Sequence, residues 1–388
     1  MKHVILKKNE ERRLLLGHQW IFSNEIHRVE GNPAAGDVVE IRRSDGKSLG
    51  CGFYNPHSLI AVRFLSPEVI EINQQFFETR IQAADSVRRQ LFPESTVYRA
   101  AYSESDFLPG LILDRFNDFF SIQTFSAGMD IRLPVICEAV KNIFSPAGIV
   151  ERNESQLRSL EHLPERNSLI YGTVKKTIIE LNGIQFDVDI LNGQKSGFFL
   201  DQRINRTVVQ QFVKGKTVLD CFCNEGGFGL YAAKGEAAGV TNIDSSSEAL
   251  ERATTNAQLN NLKNIQFVKA DVFEFLQEQV KTNQVYDMVI LDPPSFTKSK
   301  KTVATAVKGY KEINTNGLRL VKPGGIFVSA SCSHHISEEQ FLNILNESSV
   351  KAKRKIRLLS LSGASPDHPV LPSMIETRYL KFAMMSVE

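Results

Sequence analysis

The chain is poor in the features that would assign it quickly. No apolar run reaches the roughly 18 residues a helix needs to cross a bilayer, and the opening MKHVILKKNEERR becomes charged before a signal-peptide core can form. We therefore expect a cytoplasmic protein. Cysteines number five, Cys51, Cys137, Cys221, Cys223 and Cys332; an odd, scattered set argues for free thiols over a disulfide framework. Net charge is only +2, so the bulk balance neither demands nor excludes a nucleic-acid partner. There is no internal repeat and no low-complexity segment.

What is present is ordinary globular composition. Apolar residues make up 42% and charged residues 23% of 388 positions, which excludes disorder, and the length exceeds one ordinary core. Residues 1–70 contain short β-like runs (VILKK, DVVEIRR, LGCGFYN, LIAVRFLS) separated by turn-rich pieces, and read as a small β-rich domain. Over 71–188 the pattern changes. NQQFFETRIQAADSVRRQLF sets Phe76, Phe77, Ile81, Ala84, Val87 and Leu91 on one helical face. LILDRFNDFFSIQTFS turns back at Asn117-Asp118, DIRLPVICEAVKNIF reads as a helix, and a hairpin turns at Asn182-Gly183. This α+β middle region is read as a substrate platform. From 189 to 388, short apolar strands alternate with helices, which implies a parallel, doubly wound α/β sheet.

Ligands of such sheets bind at the carboxyl ends of the strands, where strand order reverses. The strand ends carry Asp220, Asp244, Asp271 and Asp292. Between the first strand and its helix lies Cys221-Phe222-Cys223-Asn224-Glu225-Gly226-Gly227, a turn in which backbone can approach a ligand. Any one aspartate could be a helix N-cap. Together, with Glu225 inside the turn, they suit a cationic sulfonium cofactor better than a phosphate-bearing dinucleotide, because carboxylates near a helix N-terminus repel phosphate. Cys221 and Cys223 read as small packing residues.

The fourth strand runs into Asp292-Pro293-Pro294-Ser295-Phe296, a loop stiffened by two prolines. There an aspartate can hold a base edge, and Phe296 can stack on a ring. The fifth strand delivers Ser331-Cys332-Ser333 to the same rim. A metal site is disfavoured: Cys332, His334 and His335 offer at most three donors, the adjacent histidines diverge, and no second CxxC or HxxxH pair accompanies them. A thiol beside a methyl donor has another use. Thiolate attack at carbon 6 of a pyrimidine makes carbon 5 nucleophilic enough to take a methyl group.

These residues together resemble the class I methyltransferases that make 5-methylcytosine in bacterial 23S ribosomal RNA and carry an N-terminal PUA domain. The resemblance spans nearly the whole chain. It rests on GHQWIFSNEI (17–26), GFYNPHS (52–58), NGQKSGFFLDQR (192–203), DPPSF (292–296), GYKEIN (309–314), Ser331-Cys332-Ser333 and Asp367-His368-Pro369. It implies a PUA domain, a middle domain and a Rossmann-like methyltransferase domain, with S-adenosylmethionine as cofactor. Cys332 becomes the nucleophile and Asp292 its partner on the base. Asp220, Phe222, Asn224, Gly226, Asp244, Ser245, Asp271 and Val272 become cofactor contacts, as do Phe198, Asp201 and Arg203, although Arg203 could equally brace its loop.

Trp20, Phe296, Lys298, Lys300 and Lys301 become RNA contacts. The implied partner is 23S rRNA or a large-subunit precursor, with no membrane and no metal; a homodimer is compatible with it. Where many RNA cytosine methyltransferases have a second cysteine after the proline, this chain has Ser295. Two alternatives stay open: methylation of another base, such as guanine at N7, which has no use for Cys332, and a catalytically idle RNA-binding or ribosome-assembly protein.

Overall fold

A computed structural model describes residues 2–388, apart from 175, 194–196 and 298 and the side chain of Lys300. The chain divides into two compact units. One comprises Met1–Ile179, Val188–Leu200 and Pro366–Thr377; the other comprises Glu180–Asp187, Asp201–Ser365 and Arg378–Glu388.

The first unit holds two sheets. In the six-stranded one the order is Trp20–Phe22, Ile60–Ser66, Ser48–Tyr54, Val38–Arg42, His3–Leu6, Ile26–Glu30. Val4, Leu6, Ile21, Val39, Ile41 and Val62 fill its core. The four β-like runs expected in 1–70 are all strands here; Trp20–Phe22 and Ile26–Glu30 are too short or too polar to have been read from periodicity. A polar seam ties this sheet to residues further along the unit. Trp20 Nε1 donates to Glu104 Oε1 at 2.7 Å, and Arg63 bridges Glu104 and Glu161 at 2.8 and 3.0 Å. Asn55 and Ser58 also donate to Glu161. Residues of both N-terminal motifs thus anchor the β-rich region to the middle region of the same unit.

The five-stranded sheet has the order Arg166–Gly172, Gly148–Asn153, Phe119–Thr124, Leu111–Phe116, Val97–Tyr102. Helix Gln74–Leu91 packs on it, capped by Asn73, whose side chain accepts from Phe76 N. Its buried face departs from the sequence expectation. Phe76, Phe77, Ile81 and Ala84 are buried, but Val87 and Leu91 are exposed and Arg88 is completely buried instead. The reason is an ion pair: Arg88 grips both oxygens of Asp106 at 2.6 Å and donates to the carbonyls of Arg99 and Asp367. Asp367 itself accepts from Arg99 N, so the Asp-His-Pro motif serves to fasten the distant segment Pro366–Thr377 into this unit.

The second unit is built on a seven-stranded sheet. Its strands are β1 (Thr217–Cys221), β2 (Gly239–Asp244), β3 (Ile265–Lys269), β4 (Tyr286–Leu291), β5 (Val321–Ser331), β6 (Ile356–Ser362) and β7 (Lys381–Val387), in the order β3-β2-β1-β4-β5-β7-β6. The first five are parallel, while β7 runs antiparallel between β5 and β6. Helices α1 (Arg203–Gln210), α2 (Gly227–Lys234), α3 (Ser247–Leu259), α4 (Val272–Lys281), α5 (Val303–Arg319) and α6 (Glu338–Ala352) cover both faces. On one face α4, α5 and α6 bury Leu276, Ile313 and Phe341 against Leu219, Val289 and Phe327. On the other, α1 and α2 bury Val209 and Phe228 against Val218, Met288 and Val328. The order reverses between β1 and β4, which puts the ligand crevice of an open parallel sheet at their carboxyl ends.

Removing Asp106 leaves the Arg88 guanidinium charged and unpaired in the first unit's interior. Asp106→Ala should cost about 3–5 kcal/mol, measured as a lowered urea midpoint by circular dichroism; an unchanged midpoint refutes the assignment.

Candidate active site

The turn after β1 is the most constrained backbone at the rim. Phe222, Asn224 and Gly226 all have positive φ (+62°, +48° and +82°), a conformation costing on the order of 1 kcal/mol for each non-glycine residue. At Gly226 a Cβ would also meet Leu230 and Ala253 at 3.2–3.3 Å.

The aspartates of the strand ends are not equivalent. Asp220 lies inside β1 and is fully buried; its Oδ2 accepts from Gly229 N at 2.8 Å. Burial pushes its carboxyl up to about 8, against the pull of that N–H bond. Asp244, the last residue of β2, accepts from Asn224 N and Ser246 N, both at 2.9 Å, so each oxygen keeps a second lone pair for a hydroxyl. Asp271 is an exposed N-cap that accepts from Glu274 N, with Val272 buried as the first residue of α4. Ser245 is exposed next to Asp244. Glu225 is paired with Arg252 at 2.7 Å.

These residues fit a sulfonium cofactor with an α-ammonium group. Among the described residues, Asp220 Oδ1 and Asn224 Oδ1 are buried acceptors without a hydrogen-bond donor. Two orphaned acceptors, one at the end of β1 and one in the turn that follows, call for a donor-rich ligand.

The other expected cofactor residues divide. Arg203 is buried and its Nε donates to Asn182 Oδ1 at 2.9 Å, and Asp201 Oδ2 accepts from Tyr379 OH at 2.6 Å; both brace the second unit. Phe198 is buried within the first unit. Of the expected RNA contacts, Lys301 is exposed, Lys298 and the Lys300 side chain lie outside the described residues, and Trp20 is held in the Glu104 seam. Phe296 is half-buried among Tyr310, Phe273 and Phe222, with ring centroids 4.6, 5.9 and 6.4 Å away.

Asp292 and Cys332 reach the rim from adjacent parallel strands, with Leu291 in register with Ser329. Gln202 Nε2 donates to Asp292 Oδ1 at 3.1 Å, and Cys332 Sγ lies 3.9 Å from Pro293 O. All five cysteines are free, and Cys332 is the one that is not buried. Burial pushes the Cys221 and Cys223 thiols well up, as suits inert packing groups.

What joins the two loops was missed in the sequence. Ser331 Oγ donates to Tyr310 OH at 3.0 Å, Tyr310 OH meets Ser333 Oγ at 3.0 Å, Ser333 Oγ meets Ser295 Oγ at 3.1 Å, and Ser295 Oγ donates to Thr297 O at 2.8 Å. Run in one direction, every hydroxyl donates once and accepts once, Ser331 Oγ accepting from Ser333 N at 3.4 Å. Tyr310 is fully buried, which pushes its phenol up to about 12 and keeps it a donor. Ser295 is therefore a link between the Asp292 loop and the Cys332 turn. Lys381, also unnoticed, donates to Ser333 O at 2.7 Å. The signals were there: a tyrosine on the apolar side of α5, and a lysine opening the apolar run KFAMMSV.

Among the described residues no group of three His, Cys, Asp or Glu side chains is placed to hold a metal ion, and no helix is long and apolar enough to cross a membrane.

Comparison with known proteins agrees with this geometry. Residues 4–67 match the PUA-like domain family, and residues 169–371 match the S-adenosylmethionine-dependent methyltransferase family. A ribosomal RNA large subunit methyltransferase I from Aeromonas hydrophila is 40% identical over 97% of both chains. A candidate SAM-dependent methyltransferase from Streptococcus mutans superposes over the full length of both chains with a TM-score of 0.85 at 23% identity. A methyltransferase-like structure complexed with SAH does so with a TM-score of 0.86 at 24% identity. At those identities the likeness is one of fold. The chain therefore belongs to the S-adenosylmethionine-dependent methyltransferase family, in the branch of the large-subunit ribosomal RNA methyltransferases I.

Proposed function

We propose that this protein methylates carbon 5 of a cytosine in 23S rRNA, as naked RNA or as part of a large-subunit precursor, in the cytoplasm. The observation that carries the reading is the half-buried Cys332, tied by the Tyr310 hydroxyl chain to the loop that presents Asp292. A guanine N7 methyltransferase has no use for a thiol so placed. The relatives' name supplies the substrate class.

Bound S-adenosylmethionine supplies an electrophilic methyl group. The chain's own residues do the rest. The Cys332 thiolate adds to carbon 6 of the cytosine, forming an S–C bond and moving the C5–C6 π pair toward carbon 5 and the ring. Asp292, oriented by Gln202, shares a proton with N3 and offsets the charge that the ring acquires. After carbon 5 is methylated it loses its proton to a base, the C5–C6 double bond re-forms, and the S–C6 bond breaks to return the thiolate. With Ser295 in place of a second cysteine, release proceeds without a second thiol. Asp220, Asn224 and Asp244 are the proposed cofactor holders, with Phe222, Gly226, Ser245, Asp271, Val272, Asp201 and Arg203 as further cofactor-side candidates of the same unit. The residues 1–70 and 71–188 are proposed to hold RNA, with Trp20, Phe296 and the loop 298–301 as contacts.

Cys332→Ala should reduce transfer of labelled methyl groups to rRNA by about 10³-fold or more while leaving S-adenosylmethionine binding intact. Nucleoside mass spectrometry of rRNA from a deletion strain should lack one 5-methylcytosine; a full complement of that nucleoside contradicts the reading.

Asp220 gives a second test. A carboxyl raised from 3.8 to about 8 on folding opposes folding increasingly as pH climbs between those values. Asp220→Asn keeps an acceptor for Gly229 N without the buried charge. It should match wild type near pH 4 and be more stable near pH 8 by about 1–3 kcal/mol, yet bind S-adenosylmethionine about tenfold more weakly. Equal melting curves at both pH values contradict the assignment.

A further inference from the structure

One buried cation near the rim has no role in the chemistry above. Lys381 opens β7, opposite Ser331 of β5 in the antiparallel register, and only 3% of it is exposed. Its Nζ donates to two carbonyls, Ser333 O at 2.7 Å and Tyr379 O at 2.8 Å. Among the described residues it forms no ion pair with a carboxylate. A buried ammonium satisfied only by neutral acceptors is costly to keep, so its position asks for an anion nearby. Cys332 sits between the residue that faces Lys381 across the strands and the residue whose carbonyl it grips.

We propose that Lys381 is a positioning residue for Cys332: its ammonium pins the Ser331–Ser333 turn and is the fixed counter-charge that holds the thiol as thiolate. The inference rests on Cys332 being the nucleophile of the proposed function. The surrounding charges favour this pairing. Glu338 and Arg378, from α6 and the segment before β7, form an ion pair with each other. His334 stacks on Tyr379 with ring centroids 5.4 Å apart, and both His334 and His335 are exposed to solvent. Tyr310 stays a neutral phenol, and the Asp292 carboxylate disfavours a second anion, so neither stabilises the thiolate by charge. Burial lowers the Lys381 ammonium to about 8, and Cys332 acts to raise it. By reciprocity the same interaction favours ionisation of Cys332. The cation is present up to about pH 8, within the range where a methyltransferase works.

Iodoacetamide tests this without RNA or S-adenosylmethionine. The thiolate displaces iodide to form an S–C bond, and peptide mass spectrometry follows Cys332 in the full chain, with Cys332→Ala as blank. In wild type, alkylation should reach half its maximal rate at a pH below the ordinary thiol value of about 8.5. Lys381→Met should move that midpoint up by about one unit and slow alkylation at pH 7 about tenfold, while Lys381→Arg, which keeps the charge, should restore most of the loss. A folded Lys381→Met chain with the wild-type profile, or an Arg variant no better than Met, overturns the proposal. Should neither variant fold, the wild-type curve decides: a midpoint at or above about 8.5 overturns it. If rRNA carries the expected methylcytosine but Lys381→Met alkylates normally, this inference alone falls. If the alkylation shift is found without methylcytosine, the product assignment alone falls.

Discussion

The hydroxyl chain Ser331–Tyr310–Ser333–Ser295 is the interaction on which the candidate site depends. It joins two loops at the ends of β4 and β5 to each other, and loops at a sheet rim are the least constrained part of an α/β fold. A buried polar network with every donor matched admits one arrangement, because breaking any member strands another in low dielectric. Tyr310 comes from α5, the crossover between the two strands, so the helix that makes the sheet parallel also ties the Cys332 turn to the Asp292 loop.

The cofactor side of the crevice follows a different logic. There the turn after β1 accepts backbone strain at Phe222 and Asn224, and one acceptor on Asp220 of β1 and one on Asn224 of the turn have no donor. Strain and unsatisfied polarity are both costs to folding. They fall together at the point where strand order reverses and where the family requires S-adenosylmethionine, whose bound ammonium and hydroxyls can offset them. The Cys332 side is internally satisfied by hydroxyl bonds, while the cofactor side keeps acceptors open to a ligand that must come and go.

Much of the fold was legible because it rests on local signals. Short apolar runs gave the parallel strands, and Asn117-Asp118 and Asn182-Gly183 gave strand turns that the structure has, with positive φ at Asn117, Asn182 and Gly183. The failures came where a polar residue is buried for a partner far along the chain. Val87 and Leu91 were expected in the core and Arg88 is buried instead, because periodicity carries no information about Asp106 or the Asp367 carbonyl. Arg166–Gly172 was overlooked because its side chains are mostly exposed, so no apolar alternation marks it.

The sequence by itself determined the chemistry on offer: a thiol after a strand, a proline-stiffened aspartate, carboxylates at strand ends and a glycine turn. Those are properties of residue type and short spacing. Only the tertiary structure decided which carboxyl is buried, which caps a helix, and which side chains link Cys332 to its surroundings. Tyr310 and Lys381 lie 22 and 49 residues from Cys332 in sequence and meet its turn only because β5 pairs with β7 and α5 packs beneath both rim loops. Burial and long-range hydrogen bonding set charge and role, and neither is a local property of the chain.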